Sequence, residues 1–113
     1  MKIINKTNNA ILAEKAILAD TPLSRLKGLL GRKQLNIGEG IILRPCSSIH
    51  TFFMHFPIDI LFLDKNNKII KAIPDLKPFH LTAIYFNAAF AIELPVGTIS
   101  STSTHIGDEV LYF

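Results

Sequence analysis

The sequence predicts a β-rich α+β fold, its sheet mixed or antiparallel and curled into a partial barrel with one short helix. Short apolar runs recur between turns rich in Asn, Asp, Gly and Pro, which is the pattern of strands. Only one segment, near residue 22, carries helical periodicity. At 113 residues, 49% hydrophobic and 19% charged, the chain has the size of a single domain, 1–113, with an ordinary core.

"KIIN" opens as a strand and "KTNN" as its turn, since Asn tolerates left-handed backbone. "AILAEKAILA" (10–19) mixes helix-forming Ala, Glu and Lys with short apolar runs, and we read it as strand. In "DTPLSRLKGLLGR", Asp20 or Thr21 can cap the first amides, and Pro22 suits a first helical turn. Leu23, Leu26 and Leu30 share a face and Gly31 can end the helix, which sets it at about 22–30. "GIILR" (40–44) is a strand stopped by Pro45. "IDILFLDKNNKIIKAI" is a hairpin, and "PDLKP" after it a loop, because two prolines block regular pairing. "AFAIELP" (89–95) is a strand with Phe90, Ile92 and Leu94 on one side and Glu93 on the other, expected to be the solvated one. "GTISSTSTHIGD" reads as irregular or a short turn, and "DEVLYF" as the last strand.

The single cysteine, Cys46, excludes an intrachain disulfide framework and a cysteine-rich zinc site. No apolar run is long enough to span a bilayer, and the first residues are too often interrupted by Asn and Lys for a signal peptide. The expectation is a cytoplasmic chain with no membrane insertion. Charge is uneven: residues 1–50 hold eight Lys/Arg against three acids, and residues 51–113 hold four against six. All ten aromatic residues lie at or after Phe52, so the basic half has no ring for stacking bases, which argues against nucleic acid as a partner.

The most apolar stretch, "SSIHTFFMHFPIDILF" (47–62), also holds His50, Thr51, His55 and Asp59. If 49–56 is extended, His50 and His55 point to opposite faces, and neither strand nor helix brings them to one metal. No metal and no cofactor is expected. Cys46 and His50 meet only if "PCSSIH" turns, and no third group is visible to orient a thiolate–imidazole couple, so Cys46 reads as a small buried thiol. Asp59 interrupts an apolar run, where an unpaired charge is costly. It needs a partner: Arg25, Arg44, a histidine or a cluster of backbone amides. Asp59 and Glu93 also have the chemistry of a general acid/base pair.

"RLKGLLGR", "GEGIILRPCSSIHTFFMHFPIDILFLD", "AIELPVGT" and "GDEV", in this order, resemble the bacterial and archaeal family known as domain of unknown function 192. The matching positions are Arg25, Gly28, His50, Thr51, Met54, Pro57, Asp59, Glu93, Leu94, Gly107 and Asp108, and the chain resembles the His-Thr-x-x-Met branch of that family. The resemblance implies a small β-rich fold. It carries no established reaction or ligand, so no catalytic residue is transferred.

Three functions from different classes fit these residues. The leading one is a non-catalytic module that binds a small polar ligand in a pocket formed by Arg25, His50, Thr51, Met54, Asp59 and Glu93. The second is an enzyme of hydrolase or lyase type using Asp59 or Glu93 with His50. The third is a structural or protein-interaction domain in which His50 and Asp59 anchor loops.

Overall fold

The computed structural model describes residues 1–21 and 33–113. Through them run β1 (Ile3–Asn5), β2 (Ala10–Ala13), β3 (Lys15–Ala19), β4 (Glu39–Leu43), β5 (Ile58–Leu63), β6 (Ile69–Leu76), β7 (Phe90–Pro95), α1 (Thr98–Ser101) and β8 (Val110–Tyr112). The helix expected at 22–30, with Arg25 and Gly28, lies outside the described residues. The short helix α1 falls in the segment expected to be irregular or a short turn.

The strands form two sheets. The smaller has the order β2-β1-β8 and is antiparallel. The larger has the order β3-β4-β7-β5-β6, parallel between β3 and β4 and antiparallel elsewhere, so of the two expected forms, mixed or antiparallel, this sheet is mixed. The two sheets do not close on one another into a barrel, and the pairing gives no support to a partial barrel.

Residues 10–19 are strand, but not one strand. The chain leaves the small sheet at Ala13 and enters the large one at Lys15, and the amides of Glu14 and Lys15 both donate to Gly38 O at 2.8 Å. One apolar segment therefore stitches two layers together.

The loop expected at "PDLKP" is a second correction, because β6 continues through Pro74 to Leu76. β6 is an edge strand, where a residue without an amide hydrogen is tolerated. The register shifts by one between Ile60↔Ile73 and Ile58↔Leu76, a bulge in which Asp75 takes φ 51°.

β5 and β7 are buried at all six positions each, so the sheet is covered on both faces. On one face Ile42, Leu61, Leu63, Phe90, Ile92 and Leu94 pack against Ile3, Leu12, Ala13 and Val110. On the other, Ile41, Ile58, Ile60, Phe62 and Ala91 pack with Ile49 and Met54, and with half-buried Cys46, Phe56 and Tyr85. Burying each large side chain contributes about 1.5–3 kcal/mol. Gly40 of β4 allows the two sheets to approach: a Cβ there would sit 3.2 Å from Ala13 Cβ, 3.2 Å from Leu94 Cδ2 and 3.4 Å from Ile3 Cδ1.

Candidate functional site

The segment 47–56 is not a strand. It runs antiparallel to 77–85 through a ladder made partly by side chains. Tyr85 N donates to Ser47 O at 2.8 Å, Thr82 N to Ile49 O at 3.0 Å, and Ile49 N to Thr82 Oγ1 at 3.0 Å. His50 bridges to Leu81, and Thr51 N donates to His80 O at 2.8 Å. The chain then turns at 52–54, with Phe53 at φ 65°. Strand parity, which would send Ile49 and Met54 to opposite faces as it would His50 and His55, therefore fails here: Ile49 and Met54 join the same apolar cluster.

Thr51 is the knot of this loop pair. Its side chain is fully buried; Oγ1 donates to Lys77 O at 2.6 Å and accepts from His80 N at 2.9 Å. Its carbonyl accepts from Phe79 N at 3.0 Å and Met54 N at 3.2 Å. His50, by contrast, is exposed, with its ring stacked on Phe52 at 5.2 Å. His55 is exposed as well. Half-buried Cys46 donates its thiol hydrogen to Ser48 O at 3.2 Å.

Asp59 finds the last of its anticipated partners, backbone amides. Oδ1 accepts from Asp75 N at 2.9 Å, and Oδ2 from Gly97 N at 3.1 Å and Ile99 N at 2.9 Å. The carboxylate thus fills the β6 bulge with one oxygen and caps α1 with the other, where Gly97 at the cap position offers no side chain. By register Asp59 lies opposite Leu94 and shares its parity with Leu61 and Leu63, so it sits on the small-sheet face. Met54 packs on the other face. Asp59 does not converge with the His50–Met54 loop in one hollow; sequence spacing alone had joined them because it could not show the turn at 52–54.

Glu93 corrects a different expectation. Its side of β7 is not solvated, and Glu93 is only 6% exposed. Its cross-strand neighbours are Ile41 and Ile60, members of the Met54 cluster. Glu93 Oε2 is buried without a hydrogen-bond partner among the described residues, and burial pushes the carboxyl up to about 7. Of the predicted set, the structure places Thr51, Met54 and Glu93 on elements of one face, leaves His50 at the surface and turns Asp59 away. Arg25 lies outside the described residues.

One buried polar centre escaped the sequence reading. Asn5 is wholly buried; Nδ2 donates to Asp108 Oδ2 at 2.9 Å and Thr104 Oγ1 at 3.2 Å, while Oδ1 accepts from Thr7 N at 3.0 Å. The hydrogen bond from Asn5, with help from His105 N, holds the Asp108 carboxyl below its ordinary value. The signal was the Asn at the end of an apolar strand, two residues before a turn amide it can accept from. Among the described residues no group of three His, Cys, Asp or Glu side chains is placed to hold a metal ion. An open hollow of about 290 Å³, lined by Glu14, Lys15, Asn36, Ile37, Gly38 and Glu39, holds none of the predicted site residues.

Fold and site together define a small β-rich domain of two packed sheets with buried carboxylates on both faces of the larger one. The chain belongs to the DUF192 family, described as Uncharacterized ACR, whose model matches residues 3–112. It is similar to a UPF0127 protein of Thermococcus sibiricus, 33% identical over 112 residues that cover 96% of this chain and 72% of that protein. It is also similar to a UPF0127 protein of Pyrococcus horikoshii, 31% identical over 98% of each chain. The crystal structure of a protein of unknown function from Novosphingobium aromaticivorans shares the fold, with a TM-score of 0.84 at 19% identity over 98% of this chain and 82% of that one.

Proposed function

We propose that this chain is a non-catalytic binding domain for a small polar ligand, with Glu93 as the polar anchor of the site. The observation that carries the reading is Glu93 Oε2, buried without a partner among the described residues on a face otherwise built of Ile41, Ile60 and Met54. Buried carboxylate oxygens are nearly always hydrogen-bonded, and an apolar wall around one orienting group is how small-molecule sites are built. The matching ligand has an apolar body and one N–H or O–H donor, and a cationic donor holds the carboxyl ionised. The Thr51 knot supports the reading by fixing the arm that carries Met54 on this face.

Of the two acids that a hydrolase or lyase could use with His50, Asp59 has both oxygens held by backbone amides on the opposite face, which favours the binding reading. A thermal-shift screen of small amines, amidines and hydroxylated compounds at pH 6 and pH 8 tests the binding reading. The expected hits raise the Tm of the wild type and of His50→Ala, and lose that effect on Glu93→Gln. If all hits persist on Glu93→Gln, or no compound shifts the wild type, the assignment is wrong.

A further inference from the structure

The loop pair ends in a set of apolar side chains that the fold does not bury. Phe52 is 38% exposed, Phe53 73%, Phe79 65% and Leu81 68%. They are neighbours: Phe53 and Phe79 meet edge to face at 6.1 Å, Phe52 stacks on His50, and His50 bridges to Leu81.

Two of these rings are held there against local preference. Phe53 and Phe79 have φ of 65° and 63°, a region that bulky residues rarely adopt and Gly or Asn enters easily. A turn needing only its backbone path would favour glycine at both positions. Bonds to the Thr51 carbonyl from Phe79 N and Met54 N hold the path. Strain that persists around exposed rings points to a use for the rings.

Charge and size select what the rings meet. Residues 45–58 and 76–88 hold Lys77, His50, His55 and His80 and no carboxylate. Asp75, just before them, pairs with Lys77 at 2.8 Å, and both side chains are about half exposed. The two arms thus bring no carboxylate of their own to the patch, and the Asp75–Lys77 pair at its edge is exposed enough for Lys77 to turn to an anionic surface. The four side chains together expose on the order of 450 Å² of apolar area, against roughly 800 Å² per partner in a standard protein interface. Rings standing out from a turn are convex, which fits a deformable partner better than a rigid one.

We propose that the 52–53/79–81 tip docks on the surface of an anionic lipid bilayer, with Phe52, Phe53, Phe79 and Leu81 entering the headgroup–acyl boundary and Lys77 and the histidines lying over the headgroups. This is a peripheral contact: among the described residues no helix is long and apolar enough to cross a membrane. It goes beyond the Glu93 site and does not rest on it.

Co-sedimentation with vesicles of phosphatidylcholine alone, and of phosphatidylcholine with phosphatidylglycerol, tests the docking. The wild type is expected to bind the phosphatidylglycerol vesicles about fivefold more tightly than the neutral ones, the share of one lysine near the surface. Phe53→Gly/Phe79→Gly keeps its Tm, because glycine adopts both backbone angles freely, yet loses about tenfold or more of that binding. Lys77→Gln weakens binding to the anionic vesicles only. Failure of the wild type to sediment with anionic vesicles, equal binding to both compositions, or undiminished binding by the double glycine variant overturns the proposal. So does a wild-type dimer that the same glycine variant makes monomeric without any lipid binding, since the tip would then pair with a second copy of this chain.

Discussion

Asp59 and Glu93 stand one step apart in the same pair of strands: Asp59 lies opposite Leu94, and Ile60 opposite Glu93. Both are carboxylates, both are buried, and the pleat sends them to opposite faces. Asp59 meets three backbone amides that the fold had left without partners, in a bulge and at a helix start. Glu93 meets isoleucines. Burial of a charge is therefore not one condition. On the small-sheet face it completes the architecture, and on the other it is a standing cost that folding alone does not repay.

Removing each carboxylate sharpens that contrast. Asp59→Ala orphans three amides and is expected to cost about 3–5 kcal/mol, read as a lowered midpoint in urea unfolding. A loss below about 1 kcal/mol would show that water replaces the carboxylate and that the two sites are alike. Glu93→Gln moves the other way. The folded carboxyl titrates at about 7 against an ordinary 4.5, so between those values the folded protein keeps a proton the unfolded chain has released. The contribution of Glu93 to wild-type stability therefore falls by about 3 kcal/mol as pH rises from 4.5 to 7, and is level above. Glu93→Gln is expected to remove that slope and to be more stable than the wild type at pH 8. Unfolding curves at a series of pH values check both. Thr51→Val gives the smallest effect, about 1–2 kcal/mol, with faster hydrogen exchange at the His80 and Phe79 amides. It probes the loop pair on the Glu93 face and leaves Asp59 untouched.

How far these features were readable from the chain follows from what each depends on. The hairpin of β5 and β6 was legible because its turn chemistry is local; Asn67 sits at φ 62° as the Asn-rich turn suggests. The passage of β6 through Pro74 was not, because being an edge strand is a property of the assembled sheet. That Asp59 needed a partner, with amides among the options, followed from the apolar run around it. Which face it took depended on where the strand began, and the turn at 52–54 rests on hydrogen bonds to residues almost thirty positions away. Glu93 was misplaced because alternation assumes one wet face, and in this sheet both are covered.

The bare backbone at Gly40 sets how closely the two layers laminate. Any β-carbon there would press on Ala13 and Ile3 from one sheet boundary and on Leu94 from within β7. Leu94 is the residue across from Asp59, and Gly97, three places on, supplies one of the amides that the carboxylate holds. A methyl group added at position 40 would act as a shim, and its thrust would travel along β7 to the anchor at its far end.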